Sequence, residues 1–444
     1  MYVYMITCVA AGAGLLFGFD VAVVAGAIPF FTKYFSLTPF ELGLAVSNVS
    51  LGCLFGSGIA GFLSDKWGRK WILFASAILF LISAILSTLP ESLVQLIIAR
   101  FIGGWAIGIS SPIAPIYIAE IAPPRIRGRL VTINQLTITL GFMLAYASDW
   151  IIAGIGTEQW RQASAWRWMF GFEVVPASIF AVVLLFVPES PRWLIKQNLI
   201  EKARHILTRI EGEDYATSEL LEIENTVAHE ESSFGSLFRW PFKKAITIGV
   251  FLAVFSQINA LAGTGTYTTK ILLDIGFKSE SAAMLGMVFV GLALFVSTIF
   301  VILFIDKIRR RTLIVLSAAG LLISGILLGA QFYWNIFSNP LVLFILLFGV
   351  VSYALGIGPG TWLVISEIFP TRLRGRATAV CTVFLWLSSF VILWLFPIMQ
   401  EISQSGTFWF LSFITVIGGV ISWFIIPETK GKTLEQIEEY WRSR

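Results

Sequence analysis

Two ionisable residues lie inside long apolar stretches, where they could do acid–base chemistry. Asp20 falls in GLLFGFDVAV and Arg100 in LIIARFIGG. A charge in hydrocarbon costs roughly 2.5–3.5 kcal/mol on insertion scales, so such residues point to function. Desolvation drives a lone carboxylate toward its neutral form, and a nearby guanidinium draws it back to the anion. If Asp20 and Arg100 approach in one conformation and part in another, the carboxylate takes up and releases a proton in each cycle. The other reading is a permanent ion pair tying two helices together, and spacing alone leaves both open. Lys270 and Asp274 lie near the end of another apolar stretch, can reach water and read as surface residues.

Other chemistries find no support. Cys8, Cys53 and Cys381 all fall in apolar stretches, so neither a disulfide framework nor a metal site is expected. His205 and His229 lie in a polar stretch and read as ordinary surface residues. There is no nucleophile–base constellation, so no enzyme, cofactor or metal is expected.

The elements that must position Asp20 and Arg100 are membrane helices. Hydrophobic residues make up 57% of the chain and charged residues 13%, with a mean hydropathy of +0.83. A soluble domain has roughly 45–50% apolar and about 25% charged residues. The apolar excess forms stretches near the roughly 20 residues that a membrane helix needs. Twelve spans are expected, at about 3–31, 42–63, 70–90, 93–119, 130–154, 166–187, 244–274, 281–304, 312–335, 340–366, 375–399 and 407–427. Alternating strand patterns are missing, which argues against a barrel. The first span has no basic leader and contains Gly14, Gly18 and Asp20, which suit a packed helix rather than a cleaved signal. Gly356, Gly358 and Gly360 around Pro359 should let the tenth span bend.

Alternate loops carry 25 of the 31 Lys and Arg residues. That bias places the basic loops and both termini in the cytoplasm of a multi-pass inner-membrane protein. The net charge of +4 then reflects topology, and no nucleic-acid partner is implied. The partner expected from these features is the lipid bilayer, around a monomer.

The chain is also written twice. AEIAPPRIRGR at Ala119–Arg129 returns as SEIFPTRLRGR at Ser366–Arg376, SDKWGRK at Ser64–Lys70 as IDKIRRR at Ile305–Arg311, and PES at Pro188–Ser190 as PET at Pro427–Thr429. An even number of spans per repeat gives two halves related by an axis along the membrane normal. The expected domains are residues 1–187 and 244–427, each a six-helix bundle, a cytoplasmic helical linker at 188–243 and a tail at 428–444. The linker should hold short surface helices, since Trp193, Leu194, Ile200, Ala203, Ile206, Leu207 and Ile210 recur at helical spacing and Ser218–His229 also reads as helix.

GFLSDKWGRK, RFIGG, the paired E-I-x-P-x-R-[IL]-R-G-R segments, PESPRW and PETKGKT resemble the sugar porter family of the major facilitator superfamily. The resemblance covers essentially the whole chain. It implies an all-α integral membrane fold, with twelve transmembrane helices in two six-helix bundles, that carries a monosaccharide by alternating access. In proton-coupled members an acidic residue occupies the place of Asp20 and an arginine that of Arg100, which favours proton symport. The alternatives are a passive sugar or polyol facilitator and, on the same fold, a transporter-like sensor. A sensor needs an output segment, for which the stretch after Pro427 is expected to be too short.

By the same resemblance the charged signatures form a cytoplasmic gate, closed when the cavity faces outward. Its members would be Asp65, Arg69, Glu120, Arg127, Glu189 and Arg192 in the first half, and Asp306, Arg310, Glu367, Arg374 and Glu428 in the second. A sugar needs amides for its hydroxyls and a flat apolar platform for its C–H faces. Gln135, Gln257, Trp362 and Trp386 match family positions for these roles, with Asn259 a further candidate. The second half departs from the family pattern: Ser256 replaces a usual Gln, Thr266 a Tyr, and Leu294 and Leu385 commonly polar residues. That loss of polarity points to a smaller, deoxygenated or differently oriented monosaccharide, or to a cyclic polyol.

Overall fold

A computed structural model describes residues 2–228, 242–277, 279–304, 308–369 and 371–428. Among them there is no strand, and eleven apolar stretches are long enough to cross a membrane. The helices of the first half are α1 (Tyr2–Tyr34), α2 (Pro39–Trp67), α3 (Arg69–Thr88), α4 (Leu93–Ile121) and α5 (Arg127–Ala153). The sixth crossing is built in pieces, from α6 (Glu158–Trp160) through a π-turn at Arg161–Ala165 to α7 (Trp166–Phe172) and α8 (Val174–Leu184). It therefore starts earlier than the expected 166, and Glu173 falls at its internal joint.

Between the halves lie α9 (Pro191–Lys196), α10 (Ile200–Glu211) and α11 (Glu213–Ala228). Leu194, Ile195, Ala203, Ile206 and Ile223 form their shared apolar core. The expected second linker helix thus begins at Glu213 rather than Ser218. The second half holds α12 (Lys243–Gln257), α13 (Thr264–Asp274), α14 (Glu280–Phe304), α15 (Arg310–Trp334), α16 (Asn339–Leu355), α17 (Ile357–Ile368), α18 (Thr371–Ile402) and α19 (Gln404–Ile425).

The seventh crossing, the expected 244–274 span, is the pair α12 and α13. Gly263 starts α13 at φ +73°, a conformation that only glycine adopts cheaply. Asn259 stabilises the break: its Nδ2 donates to the Ser256 carbonyl at 2.9 Å, and its Oδ1 accepts from the Leu261 N–H at 3.1 Å. Non-helical backbone at membrane depth is tolerated only where protein or a water-filled cavity satisfies it. The tenth span bends at Gly356, as expected. There the Ile357 N–H is taken by Ser317 Oγ at 3.0 Å, in place of a helical carbonyl.

One end of the molecule is closed and the other divided. At the end marked by Lys33, a single apolar cluster joins both halves, with Phe30, Tyr146 and Trp166 packed among Tyr267, Met287 and Phe396. Lys33 Nζ bonds Glu280 Oε1 at 2.8 Å across the halves. Gly291 of α14 lies against Met143 and Tyr146 of α5, and Phe40 packs on Trp394 with 5.4 Å between ring centroids. Toward the end marked by Arg69 the core splits into two clusters, one per half, and Trp386 borders both. The halves part in that direction.

Candidate proton and ligand site

Asp20 and Arg100 are brought together, both buried, where α1 crosses α4. Arg100 Nη2 donates to Asp20 Oδ1 at 2.5 Å and to the Asp20 backbone carbonyl at 2.8 Å. The guanidinium lies over the Phe170 ring, 4.9 Å from its centroid. Asp20 Oδ2 and Arg100 Nε and Nη1 have no hydrogen-bond partner. A guanidinium has five N–H donors in a fixed fork, so this one is only partly used.

A third charged group completes the cluster. Glu173, at the α7–α8 joint, is fully buried, and neither of its carboxyl oxygens is hydrogen-bonded. It lies in the electrostatic field of both Asp20 and Arg100. The sequence reading missed it, although the rule that selected Asp20 applies to it equally: an acidic residue within the 166–187 span. Asp149, in the 130–154 span, was missed in the same way; it is 1% exposed and neither of its oxygens is paired.

The ligand candidates are partly assembled. Gln135 on α5 is exposed. Gln257 ends α12, and its Nε2 donates to Ser256 Oγ at 3.2 Å, which leaves its carbonyl oxygen available. Ser256, which stands in place of a Gln, thus positions the neighbouring amide. Trp386 faces Phe17 of α1 across the halves, with 6.0 Å between centroids. Phe17 is one turn from Asp20, so this contact links the aromatic platform to the charged cluster. Trp362 is 40% exposed on α17. Asn259 differs from the rest, since its amide is spent on the α12–α13 break. Lys270 and Asp274 pair with each other at 2.8 Å at the helix end, in keeping with a surface role.

The repeated charged motifs form two clusters at the Arg69 end. Arg69 grips Glu120 through Nε at 3.0 Å and Nη2 at 3.1 Å, and reaches Asp65 through Nη1 at 3.1 Å. Glu189 accepts the N–H groups of Arg69 at 2.9 Å and Lys70 at 3.1 Å, at the N-terminus of α3. Burial holds the Glu189 carboxyl above the usual range, against the pull of these amides. In the second half Arg310 Nη2 bonds Glu367 at 2.9 Å. Arg127 faces Glu219 of the linker at 3.9 Å, and Arg125 pairs with Glu211. Arg192 and Glu428 also make interactions. Asp306 lies outside the described residues, as does the side chain of Arg374.

Twelve crossings in two sets of six, one broken beside polar side chains, define a transporter of the major facilitator fold. The chain belongs to the family described as "Sugar (and other) transporter", whose model matches residues 6–441. It is 40% identical to the arabinose-proton symporter of Bacillus subtilis, over 99% of this chain and 95% of that one. It is 34% identical to the D-xylose-proton symporter of Escherichia coli, over 99% and 96%. The inward-open structure of the E. coli xylose transporter XylE superposes with a TM-score of 0.88 at 33% identity, over 99% of this chain and 100% of that one. The structure of the same symporter bound to 6-bromo-6-deoxy-D-glucose gives 0.82 at 33% identity, over 99% of both.

Proposed function

We propose that this chain is a proton-coupled monosaccharide symporter that works by alternating access. The observation that carries the reading is the charge balance of the buried cluster: Arg100 is bonded to Asp20, and a second buried carboxyl, Glu173, lies unpaired in the field of both. Unpaired charge is costly in a dry interior, and one cation compensates one anion. With Arg100 on Asp20, Glu173 holds a proton for as long as the cluster is dry. Water reaching the cluster lets that proton leave. The Phe17–Trp386 contact supports coupling of this event to a sugar held on Trp386, since Phe17 is one helical turn from Asp20. A proton moving down about 100 mV gains about 2.3 kcal/mol, enough for roughly fifty-fold accumulation at one proton per sugar.

The ligand set is Gln135, Gln257, Trp362 and Trp386, with Asn259 serving the hinge of the seventh span. The sugar is a small or deoxygenated monosaccharide or a cyclic polyol, given the apolar Leu294 and Leu385. The basic loops make the Arg69 end cytoplasmic, with both termini inside, in the cell membrane. The described conformation is then inward-facing, with the Arg69–Glu120 and Arg310–Glu367 clusters parted as halves of an open cytoplasmic gate. Residues 1–187 and 244–427 move as two bundles, joined by the linker at 188–243, within a monomer.

The test is uptake into proteoliposomes under an imposed pH gradient. Sugar accumulation above equilibrium is the expected result. Exchange without accumulation would make the chain a passive facilitator.

A further inference from the structure

Asp149 is not part of the Asp20–Arg100–Glu173 cluster. It sits on α5 with its carboxyl pressed against Gly26 of α1, and a Cβ at Gly26 would lie 2.6 Å from Asp149 Cβ and Cγ. The glycine therefore makes the niche in which this carboxyl fits. The side chain is 1% exposed, and neither oxygen finds a hydrogen-bond partner.

The groups facing it supply no counter-ion. Its own helix contributes Tyr146, whose phenol lies in the carboxyl's field, and α1 contributes only the Gly26 backbone. Where α14 meets α5, it presents Gly291. On the segment that packs against α1 and α5, Arg161 forms no described ion pair, and Arg167 donates to the Thr88 carbonyl at 3.0 Å and stacks on Tyr34 and Trp166. Arg100 of α4 is engaged with Asp20.

Its place along the membrane axis gives this carboxyl a role. One turn deeper, Tyr146 meets Gly291 across the halves. In the other direction Lys33 lies seven residues beyond Gly26 on α1, about 10 Å along the helix, and pairs with Glu280 across the halves. Asp149 is thus bracketed by two contacts that exist only while this end is sealed. Opening the seal parts both contacts and admits water to the carboxyl.

We propose that Asp149 is a second proton-binding site that couples external acidity to closure of the extracellular seal. This rests on the inward-facing, proton-coupled reading above. When the outer end is open, Asp149 is hydrated and ionised. A proton from external water binds one of its Oδ atoms, and only the resulting neutral acid enters the dry niche against Gly26. On reopening the proton returns to the same side, so the site adds no net transport. One proton bound on sealing changes the sealed-to-open ratio by up to tenfold per pH unit.

The test is a distance titration on the full-length protein in nanodiscs. Spin labels are placed at Ile155 and Ile336, both exposed beyond the outer helix ends, with Cys8→Ser to silence the exposed native thiol. The expected result is a wild-type sealed population that grows as pH falls. In Asp149→Asn that population should be high throughout and its pH response shallower, by up to tenfold per unit in the ratio. Asp149→Ser serves the same comparison if the Asn protein does not fold. Identical titrations in the wild-type and carboxyl-free proteins would overturn the proposal. Exchange without pH-driven accumulation in the wild type would instead sink the symport reading and leave this titration untouched.

Discussion

Gly103 of α4 lies against the unpaired oxygen of Asp20: a Cβ at Gly103 would stand 2.7 Å from Asp20 Oδ2 and 2.6 Å from Ser83 Oγ. The first glycine of RFIGG is thus where α1, α3 and α4 close on the Asp20 carboxyl. Added volume in a packed core costs about 1–3 kcal/mol. Ser83 can rotate away, but Asp20 is held by Arg100. Gly103→Ala should lower the thermal midpoint and pull Asp20 off Arg100, cutting pH-driven accumulation more than sugar exchange. Thermal melts with paired uptake and exchange assays check this, and an unchanged midpoint with normal accumulation would show that the niche has slack.

Removing either carboxyl should uncouple transport by the same arithmetic. In Asp20→Asn, Arg100 is left to Glu173; in Glu173→Gln, it stays on Asp20. Each cluster is then neutral without a proton and has none to release. Under a gradient of one pH unit, worth about 1.4 kcal/mol, the wild type should accumulate sugar up to about tenfold, and both variants about onefold. Counterflow of labelled sugar should persist in both. Accumulation retained by Glu173→Gln alone would assign the proton to Asp20 and leave Glu173 a structural role.

The difference between the legible and the missed residues is physical. Asp20 and Arg100 were readable because each stands alone in a long apolar run, and the bend at Gly356 because glycines flank a proline. Glu173 carried the same signal, but it lies a few residues after Trp166, Arg167 and Trp168, which look like the end of a span. The sixth crossing actually begins at Glu158, and this sinks Glu173 to the depth of Arg100. Asp149 lies four residues from the end of α5 and reads as interfacial until Gly26 of α1 packs against it. Asn259 shows the opposite ambiguity. A short amide at a helix break can bond its own backbone, and sequence cannot tell that use from ligand binding. The charged clusters at the Arg69 end were legible as repeats, but their present partners follow from conformation, which repeats do not encode.

Within the Arg69 charge cluster, burial should rank the mutations. The Arg69 and Glu120 side chains are 7% and 9% exposed, whereas Asp65 is 65% exposed. Truncating one partner of a buried pair costs about 3–5 kcal/mol, because the other charge is left uncompensated. An exposed pair is worth about 0–1 kcal/mol. Glu120→Ala should therefore depress the thermal midpoint by several degrees, and Asp65→Ala by little. Glu120→Gln should recover part of the loss, since its amide oxygen can still accept from Arg69. Equal losses at 65 and 120 would mean that water reaches the Arg69–Glu120 pair.

The Lys33–Glu280 bond makes a smaller and salt-sensitive claim. It is the described ion pair that crosses the halves at the sealed end, and its side chains are 56% and 21% exposed. Exposed pairs contribute about 0.2–1 kcal/mol, so the bond biases the sealed state by roughly 1.4- to 5-fold. Glu280→Gln should shift the Ile155–Ile336 distance distribution toward the open form by that factor in dilute buffer. The shift should shrink as ionic strength rises, because screening lengths fall to about 3 Å at 1 M salt. It should also leave the pH response assigned to Asp149 in place, since Asp149 takes no part in the bond. A Glu280→Gln protein that loses that pH response would move the external proton site from Asp149 to the surface pair.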